Sequence, residues 1–306
     1  MDVKNYRMGW LPDSPDFRDF SIEKIYTNDN SQHICIPKSI DLRQWFAPIK
    51  EQGEIKACTA IAGVALVEYF ERKLMEEDAD FSSLFLYKVT RNLMRLTGDT
   101  GASLRSTMKA MALFGLIPEE YWPYKIEAFD AEPSSFCYAY AQNYQARNYF
   151  RLDLPQLSKP DLLINIKACL ASELPAMFGF STYSSILDQK VIKTGEIPYP
   201  RQGEKTLGGH AVVAVGYDDC KQALLIRNCW GKDWGDDGYG WLPYDYVLNG
   251  LAIDWWSLLK TEWFEAWQFK LDPSRELNEE RFGADPKHKK SQTIKIPIVN
   301  TKSNTP

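Results

Sequence analysis

Acyl transfer at a peptide bond needs four groups: a nucleophile poised to lose its proton, a base beside it, a third group that orients the base, and donors for the developing oxyanion. The sequence holds a candidate for each. Cys58 opens the run CTAIAGVALVEYFERKL, where the apolar residues are continuous rather than striped and charge appears only near the end, a pattern that predicts a buried helix starting near Cys58. A thiol at a helix N-terminus faces unpaired N–H groups and the positive end of the helix dipole, both of which favour the thiolate. His210 begins the stretch HAVVAVGYDD after Gly208 and Gly209, whereas His33 lies in a turn-rich segment and His288 in a polar one. That makes His210 the candidate base, although a histidine on an apolar strand serves as readily in a core. Asn228, in LLIRNCWGKDWGDDGYG, can accept from an imidazole N–H and fix the ring, or be an ordinary turn residue. Gln52, in a Gly-containing loop six positions before Cys58, offers amide donors that could join the Cys58 backbone N–H at an oxyanion. Trp230 and Trp234 close behind Asn228 either shield its hydrogen bond from water or fill core.

The elements that must position these residues divide the chain in two. Beyond the Cys58 helix, apolar spacing predicts helices over 84–96, over 104–114 with Gly115 as its stop, and over 159–171. After position 174 the texture changes to short β-like runs, PAMFGFSTY, GHAVVAVGYDD, ALLIRNCWG and GYGWLPYDYV, separated by turns. A helical half followed by a sheet half is an α+β arrangement, and ligand clefts form where such lobes meet. Before position 37 the chain reads as an extended arm, and from about 272 as a polar, mobile tail.

Composition sets outer limits. Hydrophobic residues make up 44% of the 306 and charged residues 25%, which places the chain among globular proteins rather than disordered ones. A net charge of −5 with no basic face gives no reason to expect nucleic acid as a partner. No run reaches the roughly 18 uncharged apolar residues of a membrane span; the nearest, 251–269, is broken by Asp254, Lys260, Glu262 and Glu265. The start of the chain lacks a secretory signal pattern, so a cytoplasmic setting is expected. The six cysteines, irregularly spaced and without a CxxC pair, argue against a metal site and predict mostly buried core thiols.

Taken together, EQGEIKACTAIAG, GGHAVVAVGYDD and IRNCWGKDWGDDGYGWLPY resemble the cysteine, histidine and asparagine blocks of papain-like cysteine peptidases, in the same order. The 152-residue interval from Cys58 to His210 (210 − 58) sits at the top of the roughly 130–150 residues expected for that family. IPKSIDLRQW resembles the start of the mature domain, and DTGASLRSTMKAMALFGLIPEEYWPY the segment bordering the substrate cleft. The resemblance implies a papain-like α+β fold of two lobes, one helical and one β-barrel-like, with the active site between them. It implies catalytic roles for Cys58, His210, Asn228 and Gln52, and substrate contacts at Gly101, Ala102, Gly209 and Trp230. Lys56, Ala57, Thr59 and Cys229 stand where the family usually has Gly, Ser, Trp and Ser; CTA in place of CWA resembles bacterial and viral branches.

The expected organisation is an N-terminal arm over 1–36, a peptidase domain over 37–270 and a polar tail over 271–306. The expected activity is a cysteine endopeptidase working through a Cys58 acyl-enzyme on a peptide or protein, with no cofactor, no metal, no nucleic acid and no membrane. A catalytically silent binding protein of the same fold is the alternative, as is a transpeptidase or deamidase using the same nucleophile. The short arm is expected to pack on the back of the domain rather than to lie across the cleft.

Overall fold

The computed structural model describes residues 6–20, 36–75, 79–146 and 148–259. Among them lie seven α-helices: α1 (Cys58–Met75), α2 (Ser83–Leu93), α3 (Leu104–Leu113), α4 (Ser135–Ala141), α5 (Lys159–Ala171), α6 (Gln189–Thr194) and α7 (Asp245–Leu248). Seven strands accompany them: β1 (Ser39–Asp41), β2 (Asn148–Arg151), β3 (Ala176–Tyr183), β4 (Thr206–Asp218), β5 (Ala223–Arg227), β6 (Tyr239–Pro243) and β7 (Ala252–Leu259).

Helix α1 is the axle of the first half. Every residue from Cys58 to Phe70 is buried, because α2 and α3 cover it on one side and β4 on another, which is why its apolar residues run on without a polar stripe. Helices α2, α3 and α5 each begin with a serine cap: Ser82, Ser103 and Ser158 accept from the backbone N–H groups of Phe85, Ser106 and Asp161. Those caps satisfy donors that the first helical turn leaves unpaired. α3 stops where Gly115 takes the left-handed conformation, φ 83°.

The strands form one antiparallel sheet in the order β2-β7-β3-β4-β5-β6, with β1 paired beside β4. The sheet is open, where the sequence led us to expect a barrel-like lobe. Strand β4 is its spine and meets β1, β3 and β5. Its residues from His210 to Tyr217 are all buried, packed by both α1 and α5, so β4 reads as a continuous apolar run instead of an alternating one. The predicted run GYGWLPYDYV divides, its first half entering β6 and its second forming α7.

The N-terminal arm does not pack on the back of the domain. Residues 6–11 run through the groove between the helical half and the sheet. The Trp10 N–H donates to the Gly209 carbonyl at 3.0 Å, and a parallel bridge joins Trp10 to Ala102. Farther along, Asp13 and Asp19 pair with Arg105, and Phe20 offers its carbonyl to the Arg151 N–H at 2.8 Å. No helix among the described residues is long and apolar enough to cross a membrane. The polar tail lies outside the described residues.

Candidate active site

The site is assembled from four elements: the loop before α1, the first residue of α1, strand β4, and the turn after β5. Cys58 is fully buried at the N-terminus of α1. Its sulfur lies within hydrogen-bonding reach of backbone N–H groups of Ala211, Gly9 and Thr59, so the thiol sits against the strand residue next to His210. His210, also fully buried, pairs in register with Phe180 of β3. Its Nε2 lies 2.8 Å from Asn228 Oδ1. Since the amide oxygen only accepts, Nε2 carries the proton, which leaves Nδ1 as the basic atom. That nitrogen has no other hydrogen-bond partner.

Asn228 is itself held. Its backbone N–H donates to Gly238 at 3.0 Å, and its Oδ1 also accepts from the Cys229 N–H at 2.8 Å. The Trp230 indole stacks on the imidazole at 4.5 Å between centroids, and Trp234 meets Trp230 edge-on at 5.6 Å. The His–Asn pair is thereby screened from water, which strengthens its hydrogen bond.

Gln52 is fixed from three sides. Its backbone N–H donates to the Cys229 carbonyl at 2.9 Å, its own carbonyl accepts from the Tyr124 hydroxyl at 2.9 Å, and its side-chain Oε1 accepts from the Cys229 thiol at 3.0 Å. With the oxygen occupied, Nε2 must face the groove. There it donates to the carbonyl of Arg7 at 2.7 Å and to that of Ile55 at 3.2 Å. Sequence reasoning noted Cys229 only as a departure from a family pattern; its thiol supplies the proton that orients the glutamine.

A second small network shapes the opposite wall. Asp99 accepts from the Lys56 backbone N–H at 2.8 Å and from the Tyr87 hydroxyl at 2.6 Å, and that hydroxyl accepts from the Gly101 N–H at 3.0 Å. The left-handed φ of 82° at Gly101 turns Ala102 so that its N–H and C=O both face the groove.

The four residues expected to touch substrate are touched by the arm. Gly101 meets the Gly9 carbonyl, Ala102 donates to that carbonyl and accepts from the Leu11 N–H, Gly209 accepts from Trp10, and Trp230 stacks on Tyr6 at 4.3 Å. Burial beneath the arm sets the electrostatics. It pushes the Cys58 thiol up to about 11, only partly opposed by the surrounding N–H groups, and pulls the His210 imidazole down to about 4, only partly opposed by Asn228. With the arm in place the pair is a neutral thiol and a neutral imidazole. Of the cysteines among the described residues, Cys58, Cys137, Cys169 and Cys229 are buried and Cys220 is exposed, all as free thiols.

Comparison with known proteins places this arrangement. The family model described as papain family cysteine protease matches residues 36–250. An uncharacterised peptidase C1-like protein of Acanthamoeba polyphaga mimivirus is 32% identical over 268 residues, covering 82% of this chain and 86% of its own. Peptidase 1 of Psoroptes ovis is 27% identical over 246 residues, 76% of this chain and 70% of its own. Among solved structures, xylellain, a cysteine protease from Xylella fastidiosa, superposes with a TM-score of 0.72 at 34% identity, covering 83% of this chain and 96% of that one. The chain belongs to the papain family of cysteine proteases, in a branch with bacterial and viral members.

Proposed function

We propose that the chain is a cysteine endopeptidase that hydrolyses peptide bonds through an acyl-enzyme at Cys58 and is held latent by its own N-terminal arm. The observation that carries this reading is the Arg7 carbonyl on Gln52 Nε2 at 2.7 Å: a peptide carbonyl already lies where an oxyanion donor beside a buried thiol would need it. In the reaction, His210 Nδ1 takes the Cys58 proton as the sulfur attacks the scissile carbonyl carbon. The oxyanion is held by Gln52 Nε2 and the Cys58 backbone N–H. Collapse of the tetrahedral intermediate returns the proton from Nδ1 to the leaving amine. Water, deprotonated by the same nitrogen, then attacks the thioester and frees the thiol. Asn228 keeps the ring in the tautomer and plane this shuttling needs.

Access requires that residues 6–11 leave the groove. Solvent then replaces the arm around Cys58 and His210, the desolvation that keeps both neutral is relieved, and the thiolate–imidazolium form becomes accessible. The test is cleavage of a peptide library by the chain and by Cys58→Ala, with product masses recorded in the presence and absence of an added amine. Hydrolysis products that disappear in the variant are the expected result. Equal activity in both proteins would refute the nucleophile, and amine adducts as the main product would refute hydrolysis as the outcome.

A further inference from the structure

The arm fills the groove with one large side chain, and the shape of the hole around it does not follow from the catalytic requirements. Trp10 is 5% exposed. A Cβ built on Gly179 would fall 2.0 Å from its Cε2, and one on Gly209 2.7 Å from its Cε3, so the two bare backbones admit a flat ring and nothing thicker. At the floor, Trp10 Nε1 donates to Asp254 Oδ2 at 3.0 Å. Asp254 is fully buried and sits in the left-handed region at φ 63°, inside β7. A buried carboxylate in that backbone conformation is costly, and such features persist where function needs them.

The other carboxylate oxygen is already committed. Oδ1 accepts from the Trp256 indole at 2.7 Å, and Arg151 Nη1 lies 3.2 Å from it as an ion pair without hydrogen-bond alignment. Asp153, bidentate to Arg151, accepts the Asp254 backbone N–H at 2.8 Å. Oδ2 is therefore presented to whatever occupies the slot. An entering guanidinium would lie beside Arg151, whereas an indole N–H brings no charge.

The main chain says which part of a substrate enters. Around Trp10 the arm uses the Gly209 carbonyl together with the N–H and carbonyl of Ala102. An extended substrate in the same groove has the same three groups to pair with, so its side chain at that level points into the same slot.

We infer that the slot formed by Gly179, Gly209 and Asp254 is the specificity pocket of this peptidase and selects tryptophan, a flat side chain with a neutral N–H donor, in the substrate. This rests on the peptidase reading above and deepens it. Trp10 is then a built-in occupant: the side chain that holds the arm is the side chain the enzyme selects.

The test uses the full-length chain carrying Trp10→Ala, which vacates the slot. Binding of N-acetyl-tryptophanamide and N-acetyl-phenylalaninamide is measured by calorimetry, a readout that needs no catalysis. Peptides differing only in Trp, Phe, Leu or Arg at one position scanned through the sequence are compared by kcat/KM. Trp is expected to exceed Phe on the order of tenfold in both, the worth of a hydrogen bond to a charged acceptor. Adding Asp254→Asn should erase the preference, because the amide oxygen stays with Trp256 and Arg151 while its NH₂ faces the indole donor. Equal binding of the two amides, or a preference that survives Asp254→Asn, overturns the inference whether or not peptides are cut. Labelling of Cys58 by a thiol-directed epoxide separately reports the nucleophile: labelling and cleavage without a Trp preference sink the pocket alone. Should Trp10→Ala misfold, Trp10→Phe keeps the ring and loses the donor. Labelling of Cys58 should then rise about tenfold, and unchanged labelling overturns the inference.

Discussion

Gly9→Ala separates the arm from the cleft it occupies, because the change lies in the arm and alters none of the groove's own residues. A Cβ at position 9 would stand 2.2 Å from the Lys56 carbonyl oxygen and 2.6 Å from its carbon, backbone atoms tied down through Asp99. The arm's hold is close to balance. Burying the Trp10 side chain contributes about 5 kcal/mol, from roughly 200 Å² at about 25 cal/mol/Å². The hydrogen bonds from Trp10 N to Gly209, Ala102 N to Gly9, Leu11 N to Ala102, Gln52 to Arg7 and Trp10 Nε1 to Asp254 add about 1 kcal/mol each. Ordering residues 6–11 opposes this with about 1.5 kcal/mol per residue, roughly 9 in all. The difference is about 1 kcal/mol, so a clash of about 1–3 kcal/mol decides whether the groove is open.

Alanine also removes freedom from the released arm, which offsets about 0.5 kcal/mol of that clash. The net change corresponds to roughly a 3- to 60-fold gain in the ratio of open to closed groove. Iodoacetamide alkylation of Cys58, followed by peptide mass mapping, reads it directly. Exposed Cys220 serves as the internal reference, since its rate should be the same in both proteins. Peptide hydrolysis should rise in step with alkylation. A correctly folded Gly9→Ala chain whose Cys58 reacts no faster than wild type would refute the claim that the arm controls access.

Three further outcomes follow from the geometry. Cys229→Ala removes the donor to Gln52 Oε1; in a Trp10→Ala background kcat should fall about 5- to 10-fold with little change in KM, and Cys229→Ser should restore most of it. Asp254 and His210 make opposite contributions to stability against pH. Burial raises the Asp254 carboxyl from 3.8 to about 6, so its contribution is whole below about pH 4 and lost as pH rises through 6. Burial lowers His210 from 6.5 to about 4, so its contribution is whole above about pH 6.5 and lost as pH falls through 4. Each is worth about 3 kcal/mol and they nearly cancel between pH 4 and 6. Denaturation midpoints of Asp254→Asn should therefore climb with pH across that window more steeply than wild type, and parallel curves would contradict the assignment. Tyr87→Phe, which strips the acceptor from the Gly101 N–H, should raise KM about 5-fold in the opened chain while leaving alkylation of Cys58 unchanged.

How much of this was legible in the sequence depends on whether the information was local. The helix over 159–171 was readable to the residue, because Ser158 caps it and apolar spacing runs its length. Helices α2 and α3 were placed to within a few residues for the same reason. Strands β1 and β2 were not seen: they are three and four residues long and exist through pairing with β4 and β7 rather than through any pattern of their own. Strand β7 was hidden by Asp254, a charge that in one dimension only interrupts an apolar run. The same blindness applies at the site. Cys58, His210, Asn228 and Gln52 announce themselves by type and order. The role of Cys229 as a donor to Gln52 appears only when two loops 177 positions apart are brought together. The destination of the arm was misjudged because its own residues are turn formers with no periodicity. What places it is the complementarity of Trp10 to Gly179 and Gly209, a property of three distant segments.

That complementarity makes the latency of this chain more than obstruction. A plug that merely filled the groove would leave the chemistry of Cys58 and His210 as it is in the open enzyme, and any brief opening would expose an ionised, reactive thiolate. Here the arm buries both groups, and the cost of charge in that environment holds the thiol and the imidazole neutral. Opening must therefore admit water as well as substrate before the pair can ionise. The arm also places the Arg7 carbonyl on Gln52, so the donor that would stabilise a substrate oxyanion is engaged by a ground-state peptide group. Trp10 binds the slot, the Arg7 carbonyl takes the oxyanion donor and burial silences the dyad. A substrate must compete for the first two, and the third is relieved only when it wins, so the side chain that best replaces Trp10 is also the one that best switches the enzyme on.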